Sequence, residues 1–133
     1  MRQFHLEIVT PDGLVYDGEC ESVAVKTTGG DVEIMYGHAD YFAPLAIGKA
    51  RIKIDGKTRT ASAQGGFIAV KDKRVSLAAT TFEFSDEIDI ARAEAARERA
   101  EAAIAEAKDE KELSLAKAKL LRALTRLEVG RGN

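Results

Sequence analysis

Ser85-Asp86-Glu87-Ile88-Asp89-Ile90-Ala91-Arg92-Ala93 is where this chain changes its grammar. Nine of the 11 glycines and both prolines lie upstream, within residues 1–66. No Gly or Pro occurs from Phe67 to Leu127, and 12 of the 33 residues from Ala91 to Ala123 are alanine. Alanine is the best helix former and a poor strand former, so the chain is expected to be β before this stretch and helical after it. The expected units are residues 1–84 and 85–133, an α+β arrangement. Ser85 or Asp86 is expected to cap the first helix, and Asp86, Glu87 and Asp89 favour its positive end.

Working upstream, apolar residues alternate with period 2. Phe4, Leu6 and Ile8 share one face of a strand, as do Val23 with Val25, Ile52 with Ile54, Ile68 with Val70, and Val75 with Leu77. Pro11-Asp12-Gly13 and Gly29-Gly30 separate these runs. Asp55-Gly56 is a two-residue hairpin signal, because both residue types tolerate positive φ. Short strands at this spacing predict a sandwich or barrel.

Working downstream, Ala93, Ala96, Ala100, Ala103 and Ala107 form a narrow small-residue stripe. Leu113, Ala116, Leu120, Leu124 and Leu127 form a second stripe at similar spacing. The two predict an antiparallel helical hairpin. The connection, Lys108-Asp109-Glu110-Lys111-Glu112, contains no Gly or Pro. One continuous helix from Ile88 to Val129 would be about 63 Å long at 1.5 Å per residue. Hairpin and rod are both open to this sequence, and a ligand or partner that prefers one would select it. A static hairpin with a polar turn is the plainer alternative.

The chain has 133 residues, with 20 basic and 22 acidic ones, giving a net charge of −2. That balance argues against sequence-independent nucleic-acid binding. The longest stretch without a charged residue, Thr60 to Val70, is too short and polar to span a bilayer. The opening residues lack an apolar secretory core, and Cys20 is alone, which excludes an intrachain disulfide. A reducing cytoplasm, or a surface facing it, is the expected location.

No phosphate-binding loop, nucleophile elbow or histidine constellation is present, so the chain is not expected to be an enzyme by itself. Charge is divided along the helices. Residues 86–110 carry nine acidic and four basic side chains, whereas residues 111–131 carry two and six. Asp89, Arg92, Ala96 and Arg99 fall in one sector of a helix, and Arg122 and Arg126 share a face of the next. Arginines gathered in this way suit phosphate groups, because each guanidinium is a planar, permanently charged fork of donors. Pairing with neighbouring glutamates is the bland alternative, as is a free-standing adaptor whose hairpin binds another helix.

Several short motifs then combine. Leu6-Glu7-Ile8-Val9-Thr10-Pro11-Asp12-Gly13, Gly37-His38, Ala43-Pro44-Leu45, Gly65-Gly66-Phe67 and the alanine-rich hairpin occur in this order. In this combination, over essentially its whole length, the chain resembles the epsilon subunits of bacterial F-type ATP synthases. The resemblance implies a ten-stranded β-sandwich followed by two helices, in a non-catalytic subunit of the rotor. It implies contact of the sandwich with the gamma subunit and the c-subunit ring, with Tyr36, Gly37 and His38 as contact residues. It implies peripheral association with the cytoplasmic face of the cell membrane, and coupling of proton flow to rotation. It further implies that the helices can extend into the alpha/beta catalytic head and block ATP hydrolysis.

Part of that family binds ATP on the folded hairpin through Ile/Leu-Asp-x-x-Arg-Ala, which stands here as Ile88-Asp89-Ile90-Ala91-Arg92-Ala93. By resemblance Arg92, Arg99, Arg122 and Arg126 would face the phosphates, Glu83 the base end, and the backbone of Ile88 to Ala93 would line the site. ATP would be a regulatory ligand, with no metal held by the chain itself. Met35-Tyr36 stands where the family often has Leu-Pro.

Overall fold

The computed structural model describes residues 2–132; Met1 and Asn133, the outer limits of the two expected units, lie outside the described residues. Ten strands precede two helices. They are β1 (Phe4–Thr10), β2 (Gly13–Cys20), β3 (Ser22–Thr27), β4 (Gly30–Met35), β5 (Tyr41–Pro44), β6 (Gly48–Ile54), β7 (Lys57–Gln64), β8 (Phe67–Lys71), β9 (Arg74–Ala78) and β10 (Thr81–Phe84). A single 3-10 turn, Ser85–Glu87, leads to α1 (Ile90–Glu106) and α2 (Glu110–Gly130).

The strands form two five-stranded sheets, ordered β2-β1-β9-β8-β5 and β10-β7-β6-β3-β4. Neighbouring strands are antiparallel except β1 and β9, which run parallel with Leu6 beside Val75 and Ile8 beside Leu77. The alternating positions meet between the sheets. Leu6, Ile8, Val23, Ile52, Ile68 and Leu77 are fully enclosed there. Phe82 and Phe84 close the β10 side of this core, their rings edge to face at 5.2 Å.

The Asp55-Gly56 turn has the expected left-handed residues, with φ of 51° and 78°. Asp72 and Lys73 make the same kind of turn between β8 and β9 with no glycine, at 51° and 64°. Gly66 is required for another reason. Its φ is +86°, and a Cβ there would lie 1.8 Å from the carbonyl oxygen of Ala78.

The helices form an antiparallel hairpin against the second sheet, and this packing explains β7. Ala61 and Ala63 point into the sandwich, yet the alternate residues Ser62 and Gln64 are buried too. Their face is covered by α2, to which Gln64 is bonded: its amide donates to the backbone carbonyl of Arg122 at 3.4 Å.

Two expectations change, and the choice between hairpin and rod is decided for the hairpin. The first helix is not capped by Ser85 or Asp86; those residues lie in the 3-10 turn, and Asp89 caps α1 by accepting from the Arg92 amide at 3.1 Å. The connection between helices is a break. Asp109 caps α2 by accepting from the Glu112 amide at 2.8 Å, and the Glu112 carboxylate reaches back to the Lys108 amide at 2.9 Å. That reciprocal pattern is a variant of the capping box and ends the helical run without glycine. Finally, the leucine stripe is not uniformly buried. Leu127 and Ala116 are buried, Leu113 and Leu120 half-buried, and Leu124 exposed, because Ala123 takes the seam. On α1 only Ala93 and Ala100 are deeply buried.

Candidate functional site

The end of β10, the first half of α1 and the last turns of α2 enclose a notch of about 140 Å³. It is lined by Glu83, Asp89, Arg92, Ala93, Ala96, Arg99 and Arg126. The local causes are plain. Helical spacing places Arg92, Ala96 and Arg99 on one side of α1, and the Asp89 cap fixes where that helix begins. Ala93 and Ala96 leave the notch open because they carry no side chain beyond Cβ. Arg126 arrives from α2, and its Nε donates to Glu83 Oε1 at 2.8 Å.

Most of the residues expected to gather do so. Ile88 and Arg122 do not line the notch. Ile88 is buried beneath the end of α2, where a Cβ on Gly130 would come 3.0 Å from its Cγ2 and 2.5 Å from Ile90 Cδ1. The Arg122 side chain lies on an exposed position, while its carbonyl receives Gln64.

Chemically, the notch presents three guanidinium groups against two carboxylates, one of them engaged as a helix cap. Its lining carries one more cation than anion, and the guanidinium is the side chain best suited to phosphate groups. Its volume is well below the roughly 300–1,000 Å³ of complete ligand pockets. It is too small to enclose a ligand of nucleotide size.

The loop between β4 and β5 holds Tyr36, Gly37 and His38. The Arg2 guanidinium sits 4.8 Å and the Lys73 ammonium 5.9 Å from the Tyr36 ring centre. Gly37 has φ of +81°, and the His38 amide donates to the Met35 carbonyl at 3.2 Å. Asp40 accepts from the Asp72 amide at 3.1 Å, tying this loop to the β8–β9 turn. The loop is thus a tied-down end of the sandwich that gathers aromatic rings with charges of both signs.

Sequence reading missed two features. Gln64 centres a buried polar network, its Oε1 accepting from Thr81 Oγ1 at 3.1 Å and its amide donating to Ser62 Oγ at 3.2 Å. The only available signal was polar residues at alternate positions of β7, which reads equally as a solvated face. The second feature is an apolar strip across the outer face of the first sheet. Register aligns Leu14, Val9, Ala78, Phe67 and Pro44 across all five strands. Leu14 and Phe42 are more than 60% exposed, and the Phe42 and Phe67 rings stand 5.2 Å apart. An exposed apolar patch of this kind marks an interaction face.

Comparison with known proteins follows the same division. Residues 3–85 match the family model for the ATP synthase delta/epsilon chain β-sandwich domain, and residues 86–130 match that for its long α-helix domain. The chain is 42% identical over 129 residues to the ATP synthase epsilon chain of Bacillus subtilis, covering 97% of this chain and 98% of that one. It is 41% identical to that of Bacillus velezensis, with the same coverage. In fold it is similar to a chain of the Euglena gracilis mitochondrial ATP synthase, with a TM-score of 0.80, 23% identity, and coverage of 95% and 79%.

Proposed function

This chain belongs to the family of ATP synthase delta/epsilon chains, and on that premise we propose that it is a central-stalk rotor subunit whose helical hairpin is a nucleotide-responsive brake. The sandwich is the fixed part. Its apolar outer strip is the face offered to the gamma subunit, and the Tyr36-Gly37-His38 end is offered to the c-subunit ring. Through those contacts the chain rides on the cytoplasmic face of the membrane and helps couple proton flow to rotation.

The hairpin is the movable part. The observation that carries this reading is the chemistry of its attachment. Between α2 and the sandwich lie one amide bond from Gln64, the Glu83–Arg126 pair, and a Lys49–Glu128 pair at 3.9 Å. The two ion pairs are half-exposed and worth little individually, the Gln64 bond is long, and polar interfaces within a chain permit relative motion. Freed from the sandwich, the basic α2 and its exposed Leu115, Leu121 and Leu124 would be available to the alpha/beta catalytic head. There the helices would block hydrolysis.

ATP enters through linkage. Its phosphates would be held by Arg92, Arg99 and Arg126, with Arg122 able to swing in from the adjoining turn, and Glu83 toward the base. These groups come from α1, α2 and β10, so they are assembled only while the hairpin is folded and docked. A ligand favours the state that binds it better, in proportion to that difference. ATP therefore holds the brake off. Calorimetric titration of the full chain tests this. Saturable ATP binding that weakens at least about 10-fold in Arg126→Ala is expected. Unchanged binding in that variant would overturn the site assignment.

A further inference from the structure

The 3-10 turn between sandwich and hairpin carries a strand pattern that the docked structure does not use. From Phe82 to Asp89 the sequence reads Phe-Glu-Phe-Ser-Asp-Glu-Ile-Asp. Phe82, Phe84 and Ile88 fall at alternate positions, and Glu83, Ser85, Glu87 and Asp89 between them are all polar. That is the period of a half-buried strand, and it runs four residues past the end of β10. Only Asp86 breaks the apolar set.

The partner for such a continuation is present. β10 pairs with β7 from Thr81 opposite Gln64 to Phe84 opposite Ala61, and stops. β7 continues through Thr60, Arg59, Thr58 and Lys57, bonded on its other side to β6. Among the described residues no strand occupies the β10 side of that segment, and Lys57, Thr58 and Arg59 are exposed. An open edge of this kind is a template for pairing. Extending the register places Ser85 opposite Thr60, Asp86 opposite Arg59, Glu87 opposite Thr58 and Ile88 opposite Lys57.

The side chains fit that register. Asp86, the one polar residue on the inward set of β10, would face Arg59, which shares that face of β7 with Lys57. The two already meet, with Arg59 Nη2 3.8 Å from Asp86 Oδ1 and the guanidinium stacked 3.7 Å over the Phe84 ring. Opposite charges directly across a strand pair are favourable. Ile88 would move from beneath Gly130 to lie against the aliphatic stem of Lys57, with Ile54 one strand further on at the core margin.

What holds the turn in its docked form is local. The Phe84 amide donates to Glu87 Oε1 at 3.2 Å, and Ile88 is trapped under the end of α2. We propose that the hinge is a strand–turn switch: when the hairpin leaves the sandwich, residues 85–88 lengthen β10 along the free edge of β7, with Arg59–Asp86 kept as the pivot. The proposal rests on the release described above. It gives the released state main-chain bonds of its own, and it fixes the direction in which the helices leave, as a continuation of β10.

The test uses the full chain with Lys71→Cys and Ser114→Cys labelled for energy transfer, since Cys20 is buried and inert to label. Release is driven by Gly130→Val, whose side chain has no room above Ile88 and Ile90, and independently by Arg126→Ala. The expected result is lower transfer in both, together with about 10-fold slower hydrogen exchange at one or more amides among residues 86–88. The docked 3-10 turn closes i→i+3 bonds onto the Glu87 and Ile88 amides, so the Asp86 amide at its start, which has no such partner, is the most sensitive reporter. Asp86→Arg should remove the added protection, and Asp86→Arg with Arg59→Glu should restore it. Lower transfer with exchange as fast as before would overturn the strand while leaving release intact. Unchanged transfer in both variants would overturn release, and the strand with it.

Discussion

The space between the two sheets and the seam between sheet and hairpin are both interiors of one small protein, but they are made of different materials. The first is filled by Leu, Ile, Val and Phe side chains that are fully enclosed. The second combines a small apolar contact at the end of α2, where Ile88 lies beneath Gly130, with polar contacts from Gln64, Glu83 and Lys49 and the small residue Ala123. Burying a large apolar side chain contributes about 1.5–3 kcal/mol, whereas a half-exposed ion pair contributes about 0–1 kcal/mol. A layer fastened by the second kind of contact can leave without unfolding the first. The difference teaches where motion belongs in this chain.

The largest expected effect breaks the comparison from the core side. Ile52→Ala should destabilise the sandwich by about 2–5 kcal/mol in chemical denaturation, carrying the hairpin with it. The reverse should not hold. Gly130→Val pushes Ile88 and Ile90 and should detach the hairpin, while the sandwich unfolds at nearly its original denaturant midpoint. A common loss of both would contradict the division.

The core has its own pH signature. Burial, then the carboxylates of Glu19 and Glu21, push the Cys20 thiol up to about 12. Unfolded, it titrates near its ordinary 8.5. Between those values the folded state holds the extra proton, so stability is complete below the lower value and falls as pH rises. The expected slope is at most about 1.4 kcal/mol per pH unit. Cys20→Ala should flatten that slope in denaturation series from pH 8 to pH 11. The smallest effect lies at the hairpin tip. Asp109→Ala removes the α2 cap at a cost of about 1 kcal/mol and leaves Lys108 to Glu112 free to run on as helix. A rise in helicity by circular dichroism, with the sandwich unchanged, is the expected outcome.

The same contrast decides what was legible in the sequence. Strand faces such as Leu6/Ile8 and Val75/Leu77 could be read because enclosure on one side imposes period 2. The Asp55-Gly56 turn could be read because its residues tolerate positive φ; Asp72-Lys73 could not, because nothing but tertiary pairing of β8 and β9 demands it. The hairpin's stripes were visible, but Leu124 was placed inside because spacing alone does not say that Ala123 permits the closer approach. The hairpin and its connection were legible from the paired stripes, but a continuous helix stayed open for want of Gly or Pro, although Asp109 and Glu112 stand at capping-box spacing. In the notch, Arg92, Arg99 and Arg126 meet as expected from helical geometry. The Arg122 side chain lies outside on an exposed position, and its carbonyl receives Gln64, a contact between residues 58 positions apart. Long-range polar pairings of that kind leave no periodic trace.

Native-state hydrogen exchange, residue by residue, tests the central claim most directly. The account predicts that amides of α1 and α2 exchange through an opening of lower free energy than those of β1, β6 and β9, and that ATP raises protection in the helices alone. A single opening free energy shared by helices and sandwich, with or without ATP, would contradict it.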